Sequence, residues 1–533
     1  MALKDDVQHD RKQSVWENWF RLHLRGTSVT NELIASIGTV LLSIFSMIAT
    51  ANLISKSITD GSQLLPTLLS LVFLVSGTLS IIAGFVSKLP LVFIGSLGIN
   101  QFITVNVINA LSIDWGYGFA ILILENIIWL ALSFTRFPLW CIEQLPALFK
   151  HLALVSLGGI FFVYGLFSGK VVQFNANQEV ISYTLRSTET LAFFVVFFIT
   201  FILHRLKIKA AYIYGFLLTL FLGMYLPKVP DKVFYHGYFW ILVLILVIWM
   251  IVYATLVDYR KKNALDISMI VLLLGLMIGL IWTRDPGTII PLPTKWIGQS
   301  GFIGRPRFQH LGAVIGYPLF SFPGMLKEFS KLFRPLLSLF LVHWVTFIGF
   351  MEVLPEYITF RKKEQEHYFQ KYAFFQEGVV GLLGNHSGTG MNSSIYGSVL
   401  AWLNGAKTGL SSVFTGIGFL GLLFFIPFIK TSFTAFSIGP VMAVIGAQLI
   451  LKAVQHYTDD KDIWISIVAA LMIGGLTLNL YQGLLAGLIT YCIDKMIHGK
   501  TNEISTFYWI LLAVAVVLSF VRVNIPYLPI VNF

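Results

Sequence analysis

Glu125 and His343 each stand inside a long apolar run, F-A-I-L-I-L-E-N-I-I-W-L and L-V-H-W-V-T-F-I-G-F-M-E. An ionisable group at bilayer depth costs about 3 kcal/mol or more, so it marks an ion, proton or ligand site unless another helix pairs it. Glu125 has no partner within its own run. It suits cation coupling or substrate contact, against the plainer reading of a packing acid. His343 lies beside Trp344 and near Thr346. It changes charge close to neutral pH, which suits a proton carrier or a hydrogen bond to a ligand. A histidine satisfied by its interior neighbours is the plainer alternative. Glu352 belongs to the same run and can face a cavity, whereas Glu356 reads as solvated. Glu377 reads as the acid that opens the next helix, where the helix dipole favours negative charge.

Two interrupted stretches must position these groups. Residues 381–410, G-L-L-G-N-H-S-G-T-G-M-N-S-S-I-Y-G-S-V-L-A-W-L-N-G-A-K-T-G-L, are too rich in Gly, Ser, Thr and Asn for an ordinary lipid-facing helix. Residues 88–104, K-L-P-L-V-F-I-G-S-L-G-I-N-Q-F-I-T, repeat the pattern in the first half, with Gly95, Gly98, Asn100 and Gln101. Non-helical backbone at membrane depth survives only where protein or a water-lined cavity satisfies it. A matched pair of Gly-broken segments is therefore a pointer to a transporter's binding site. His386, Asn385, Asn392, Ser393 and Ser394 fall at or just before the second break, where they can cap exposed helix ends. Two facing half-helix N-termini would present free N–H groups to a neutral polar ring or to an anion.

Composition fixes the class. The chain has 533 residues, 56% hydrophobic and 12% charged, far below the roughly 25% charge of soluble domains. It is an all-α polytopic membrane protein, with about 14 to 16 crossings expected at roughly 20 residues each. The formal net charge of +11 belongs to short cytoplasmic loops under the positive-inside rule; no basic face points to nucleic acid. With the N-terminus inside, Lys88, Arg136, Lys150, residues 204–209, 258–263 and 361–371 all fall on the inner side. This places the chain as multi-pass in the cell membrane with a cytoplasmic N-terminus. The first residues lack a signal-peptide pattern, and Trp16–Phe20 reads as a surface helix. Cys141 and Cys492 suggest neither a disulfide framework nor a metal site. No P-loop, H-E-x-x-H or G-x-S-x-G occurs, so neither a cofactor nor an enzyme activity is expected.

Apolar runs fall near 33–54, 66–87, 91–110, 117–135, 150–168, 190–203, 210–226, 237–257 and 267–282. After a Pro-broken interruption at 283–331 they resume near 333–353, 375–388, 391–403, 409–428, 435–453, 462–478, 480–497 and 505–523. Each half opens on a long apolar helix and reaches a Gly-broken segment as its third hydrophobic element, the weak symmetry of an inverted repeat.

Residues 20–36 (F-R-L-H-L-R-G-T-S-V-T-N-E-L-I-A-S), 84–101 (G-F-V-S-K-L-P-L-V-F-I-G-S-L-G-I-N-Q) and 405–428 (G-A-K-T-G-L-S-S-V-F-T-G-I-G-F-L-G-L-L-F-F-I-P-F) carry a family resemblance. So do F-S-I-G-P-V-M-A-V-I-G at 436–446 and N-L-Y-Q-G-L-L-A-G-L-I-T-Y at 479–491. Their order and spacing resemble the azaguanine-resistance-type (AzgA-like) purine permeases of the nucleobase–cation symporter family. Only 170–330 aligns poorly, with two extra apolar segments.

The resemblance implies a uracil-permease-like fold of two inverted repeats of seven helices, with short strands in the two broken helices and two extra helices. It implies a cytoplasmic lead at 1–29, a core domain at 30–136 and 330–430, and a gate domain at 137–329 and 431–533. It implies a small-molecule purine substrate, usually moved with protons, a lipid surround and a homodimer. The substrate residues it selects are Gly98, Asn100, Gln101, Asn392, Ser393, Tyr396 and Ser398, joined by His343 and Thr346 on the eighth helix. Here the chain departs from the family. Acidic residues of that helix align with His343 and Thr346, and a Glu of the tenth with Gly397 or Ser398. His343, Glu125 and Glu352 are the candidates to replace them in proton coupling. An anion or other solute carrier, a uniporter and a transport-inactive relative on the same fold stay open as alternatives.

Overall fold

The computed structural model describes residues 15–225 and 306–513, except 59–60, 145–146, 170, 175–179, 183–187, 209, 354–362, 428, 430–437, 456–460, 505, 507 and 511. The expected runs at 237–257 and 267–282, most of 505–523, the loop 283–295 and Glu356 lie outside the described residues.

In chain order the elements are α1 (Val15–Phe20), α2 (Val29–Ser57), α3 (Gly61–Ser87), β1 (Ile94–Gly95) and α4 (Leu97–Gln101), which runs into a π-helical stretch at Phe102–Asn109. They continue through α5 (Trp115–Ser133), α6 (Phe137–Glu143), α7 (Ala147–Ser168), β2 (Val172–Phe174), β3 (Val180–Ser182), α8 (Thr188–Arg205) and α9 (Ala211–Tyr225). After residue 305 come α10 (Tyr317–Phe320), α11 (Phe322–Lys327), α12 (Phe329–Val353), α13 (Lys363–His386), β4 (Asn392–Ser393), α14 (Ile395–Leu403) and α15 (Gly409–Leu422). The last are α16 (Gly439–Val454), α17 (Lys461–Thr477) and α18 (Leu480–Ile497). Among the described residues, five helices are long and apolar enough to cross a bilayer: 29–57, 63–87, 115–133, 148–168 and 329–353.

The chain divides into two compact units, Met1–Gln144 with Gln309–Gly421, and Leu145–Phe308 with Leu422–Phe533. In the second unit α16, α17 and α18 pack on α7. Ala192 and Phe193 of α8 meet Ala443 of α16 in a buried cluster, and β2 and β3 form a small antiparallel pair.

The first unit is organised around β1 and β4. They pair antiparallel, with Ile94 opposite Ser393 and Gly95 opposite Asn392. These two-residue strands leave most of the surrounding backbone without ladder partners, and bilayer offers none. Side chains supply them. Asn100 Oδ1 accepts from the Met391 N–H at 2.7 Å, and its Nδ2 donates to the Met391 carbonyl at 3.1 Å. Ser398 Oγ accepts from Val92 N–H at 3.0 Å, and Ser80 Oγ from Phe93 N–H at 3.0 Å. Trp402 Nε1 donates to Pro90 O at 3.0 Å. The approach is close enough that a Cβ on Gly397 would lie 2.4 Å from Val92 O. Gly390, at φ +70°, supplies the left-handed turn into β4, a conformation that a side chain would strain.

Glu32 fixes one end of this unit. It is fully buried in the first turns of α2. Its carboxylate accepts from the Lys407 N–H at 3.1 Å and the Thr408 N–H at 3.3 Å, just ahead of α15. A carboxylate at a helix start meets both its free N–H groups and its dipole. Glu32→Ala leaves one buried and one part-buried donor unmet, at about 1–3 kcal/mol for the buried one. A lowered thermal midpoint of the purified protein is the expected result, with Glu32→Gln intermediate; an unchanged midpoint would refute this role.

One helix start differs from the sequence expectation. Glu377 does not open a helix. It lies well inside α13, which begins at Lys363. The first part of α13, K-E-Q-E-H-Y-F-Q-K, is charged, so the apolar run marked only the later half of the helix. A carboxylate placed there is buried among helices and needs partners of its own.

Candidate functional site

α5 presents Glu125, Asn126 and Trp129 to the interior of the first unit, all at 0% exposure. α12 and α13 bring His343 and Glu377 to the same place, at 1% and 0%. His343 Nδ1 lies 2.8 Å from Glu125 Oε1, and its Nε2 lies 3.4 Å from Glu377 Oε1. The other oxygen of Glu377 accepts from Ser394 twice, from the backbone N–H at 3.0 Å and from Oγ at 2.7 Å. Ser394 is the residue between β4 and α14. A continuous line of polar contacts therefore runs Glu125–His343–Glu377–Ser394, from the middle of α5 to the break itself.

The surroundings are apolar and aromatic. Trp129 stacks on the imidazole with ring centroids 4.1 Å apart and 19° between planes, and Phe347 meets it edge-on at 6.4 Å. Trp129 is held in turn by its Nε1 donating to Phe374 O at 2.8 Å. A stacked ring fixes the imidazole plane, so both nitrogens stay aimed at their carboxylates. An imidazolium donates to both carboxylates at once, whereas a neutral ring donates to one and turns a lone pair to the other. The set can hold and release a proton without solvent reaching it directly.

Three oxygens nearby remain without hydrogen-bond partners among the described residues: Glu125 Oε2, Asn126 Oδ1 and Asn385 Oδ1. Both asparagines also flank the Met391 sulfur, at 3.5 and 3.9 Å through Nδ2. Acceptors outnumber donors here, which suits a site that takes up protons or water.

The candidate substrate residues separate into two groups. Asn100 and Ser398 hold backbone across the strand crossing as described. Asn392 is likewise engaged, accepting from Ser76 Oγ at 3.1 Å and donating to Thr389 Oγ1 at 3.0 Å. Ser393 Oγ accepts from the Ile395 N–H at 3.3 Å. Against these, Gly98 is exposed, and a Cβ built on it meets nothing within 4 Å. Gln101 and Tyr396 are half-buried, and Thr346 lies one turn beyond His343 at 9% exposure. Glu352 is half-buried, nine residues past His343, about 13 Å further along the helix axis. The paired carboxylates of His343 are Glu125 and Glu377. Sequence reasoning gave Glu377 a structural role because its local pattern carries no sign of a partner 34 residues away on α12.

No family model matches the chain. It is similar, end to end, to curated proteins of the same size. One is a protein of Methanocaldococcus jannaschii named as a permease, 22% identical over 94% of this chain and 97% of that one. Others are the adenine permease AdeQ of Escherichia coli, 20% identical over 91% and 92%, and the guanine/hypoxanthine permease PbuG of Bacillus subtilis, 21% identical over 92% and 96%. Its relatives are permeases. Among solved structures, the transmembrane domain of the cyanobacterial bicarbonate transporter BicA aligns with a TM-score of 0.42 and 11% identity, over 88% of this chain and 96% of that one. With its apolar helices and these relatives, the chain is a multi-pass membrane protein.

Proposed function

We propose that this chain is a secondary transporter that moves purine nucleobases or related compounds across the cell membrane. The reading rests on one observation: sequence similarity spanning both broken segments and nearly the whole chain, to permeases named for adenine and for guanine and hypoxanthine. The AzgA-like subgroup, the two inverted repeats of seven helices, the core and gate domains, the homodimer and the cytoplasmic N-terminus are parts of the same proposal.

The geometry of the first unit supports a division of labour. Asn100, Asn392, Ser393 and Ser398 frame the crossing of β1 and β4. Gly98, Gln101, Tyr396 and Thr346 are the groups around it to which we assign contact with the base. The open space over Gly98 favours a flat ring close to the start of α4, where free N–H groups meet ring acceptors. His343 is sealed by Trp129 and engaged at both nitrogens, which favours proton coupling with Glu125 over direct contact with substrate.

Uptake of radiolabelled adenine, guanine and hypoxanthine into proteoliposomes tests the reading, with and without an inward proton gradient. Gradient-driven accumulation of at least one base is the expected result. Gradient-independent equilibration would make the protein a uniporter. Failure to bind or move any purine would sink the nucleobase reading and turn the search to anions and other solutes.

A further inference from the structure

We infer that Glu377 is the positioning residue that ties the proton held at His343 to the shape of the broken segment β4–α14. The inference rests on the transport reading above and extends it to a residue outside the coupling pair.

Glu377 has two faces. Oε1 meets His343 Nε2 at 3.4 Å, while Oε2 accepts both the N–H and the Oγ–H of Ser394, at 3.0 and 2.7 Å. The second face is a remote cap on α14. Ser394 supplies no side-chain cap of its own to that helix, so its backbone position there is held by a carboxylate on α13. Glu125 on α5 and His343 on α12 are the ionisable groups in this set. α3, which has no ionisable side chain, packs against α13, as do α6 and α10. α6 and α10 carry Cys141, Glu143 and Tyr317, none of which is bonded to Glu377.

The consequence follows from counting protons. With Nδ1 donating to Glu125, one further proton occupies the contact between Nε2 and Glu377 Oε1. It resides on either atom, and the contact is attractive in both cases. When that proton leaves to water, the Nε2 lone pair faces an ionised carboxylate oxygen. The contact then becomes repulsive in a medium that screens little. Trp129 holds the imidazole plane, so Glu377 is the side that yields. Because its other oxygen grips Ser394, the displacement passes to the first turn of α14 and through β4 to β1. Proton departure and a change at the substrate crossing become one event. No oxidant or further reactant is needed: water on either side supplies and accepts the proton.

The test uses the full-length protein. A cysteine is placed by Gly98→Cys, where the structure leaves room for a side chain, and its maleimide labelling is followed between about pH 5.5 and 9.5, a range wide enough for a histidine in a perturbed site. After correction for thiolate content, the labelling rate should change with pH in the Gly98→Cys protein. It should be flat when Glu377→Gln is added, since glutamine keeps an acceptor for Ser394 but cannot ionise. Ser394→Ala removes the Oγ–H bond and keeps the backbone N–H bond, so it should weaken the pH dependence while leaving the His343 contact in place, and it decides the matter if Glu377→Gln does not fold. Equal pH dependence with and without these substitutions overturns the proposal, and so does a flat profile in all three proteins. In uptake, Glu377→Gln should lose gradient stimulation by about fivefold or more relative to its own purine exchange, within the usual range of site-to-site coupling. Retained stimulation also overturns it. A protein that moves no purine but labels as expected would instead refute the substrate reading and leave the role of Glu377 standing.

Discussion

Replacing His343 with alanine should abolish gradient-driven uptake and lower the stability of the first unit. The imidazole separates two buried carboxylates, at 2.8 and 3.4 Å. Removing it leaves Glu125 and Glu377 facing a void beneath Trp129 with no cation between them. Breaking a buried charged pair by deleting one member costs about 3–5 kcal/mol, and here two acids lose the same partner. The variant therefore also loses the group that carries the proton between them. A thermal midpoint well below that of the parent protein and a loss of accumulation in proteoliposomes are the expected measurements. His343→Gln, which fills the space and still donates, should recover much of the stability without recovering accumulation. Accumulation by His343→Ala at the parent level would remove His343 from the coupling mechanism.

Asn100→Ala should be nearly as severe, for a different reason. Its amide acts as a strand residue would, meeting both the N–H and the carbonyl of Met391. In water the lost bonds would be replaced. At this depth they are not, so each unmet group costs about 1–3 kcal/mol. The crossing of β1 and β4 then loses its register beside the open face at Gly98. Substrate binding should fall by an order of magnitude or more, about 1.4 kcal/mol per tenfold step. Asn100→Asp separates the two bonds, because a carboxylate accepts from Met391 N–H and cannot donate to its carbonyl. It should be intermediate in both stability and binding. Equilibrium binding of labelled adenine to purified variants checks this; parent-level affinity in Asn100→Ala would show that the crossing does not depend on the amide.

Much of the plan is written locally. The apolar runs announce their helices because lipid demands about 20 such residues in a row. The paired Gly-broken stretches announce the crossing because glycine and short polar residues are otherwise out of place there. Glu125 and His343 stood out for the cost of placing them in apolar runs, though neither run named its partner. Glu377 was misplaced because charge in the first half of α13 hid where that helix begins. Glu32 was overlooked because an acid near a helix start is ordinary, and the two N–H groups it caps lie some 375 residues away in sequence.

The sequence by itself determined the membrane class, the positions of the breaks and which residues were too costly to lie in lipid without a purpose. These follow from solvation, which acts on each residue where it stands. Only the tertiary structure decided that Glu125, His343 and Glu377 form one line ending at Ser394, and that Asn100, Asn392 and Ser398 hold the crossing together. Hydrogen bonds are short and directional, so which group answers which is settled by helix packing between segments 17 to 316 residues apart.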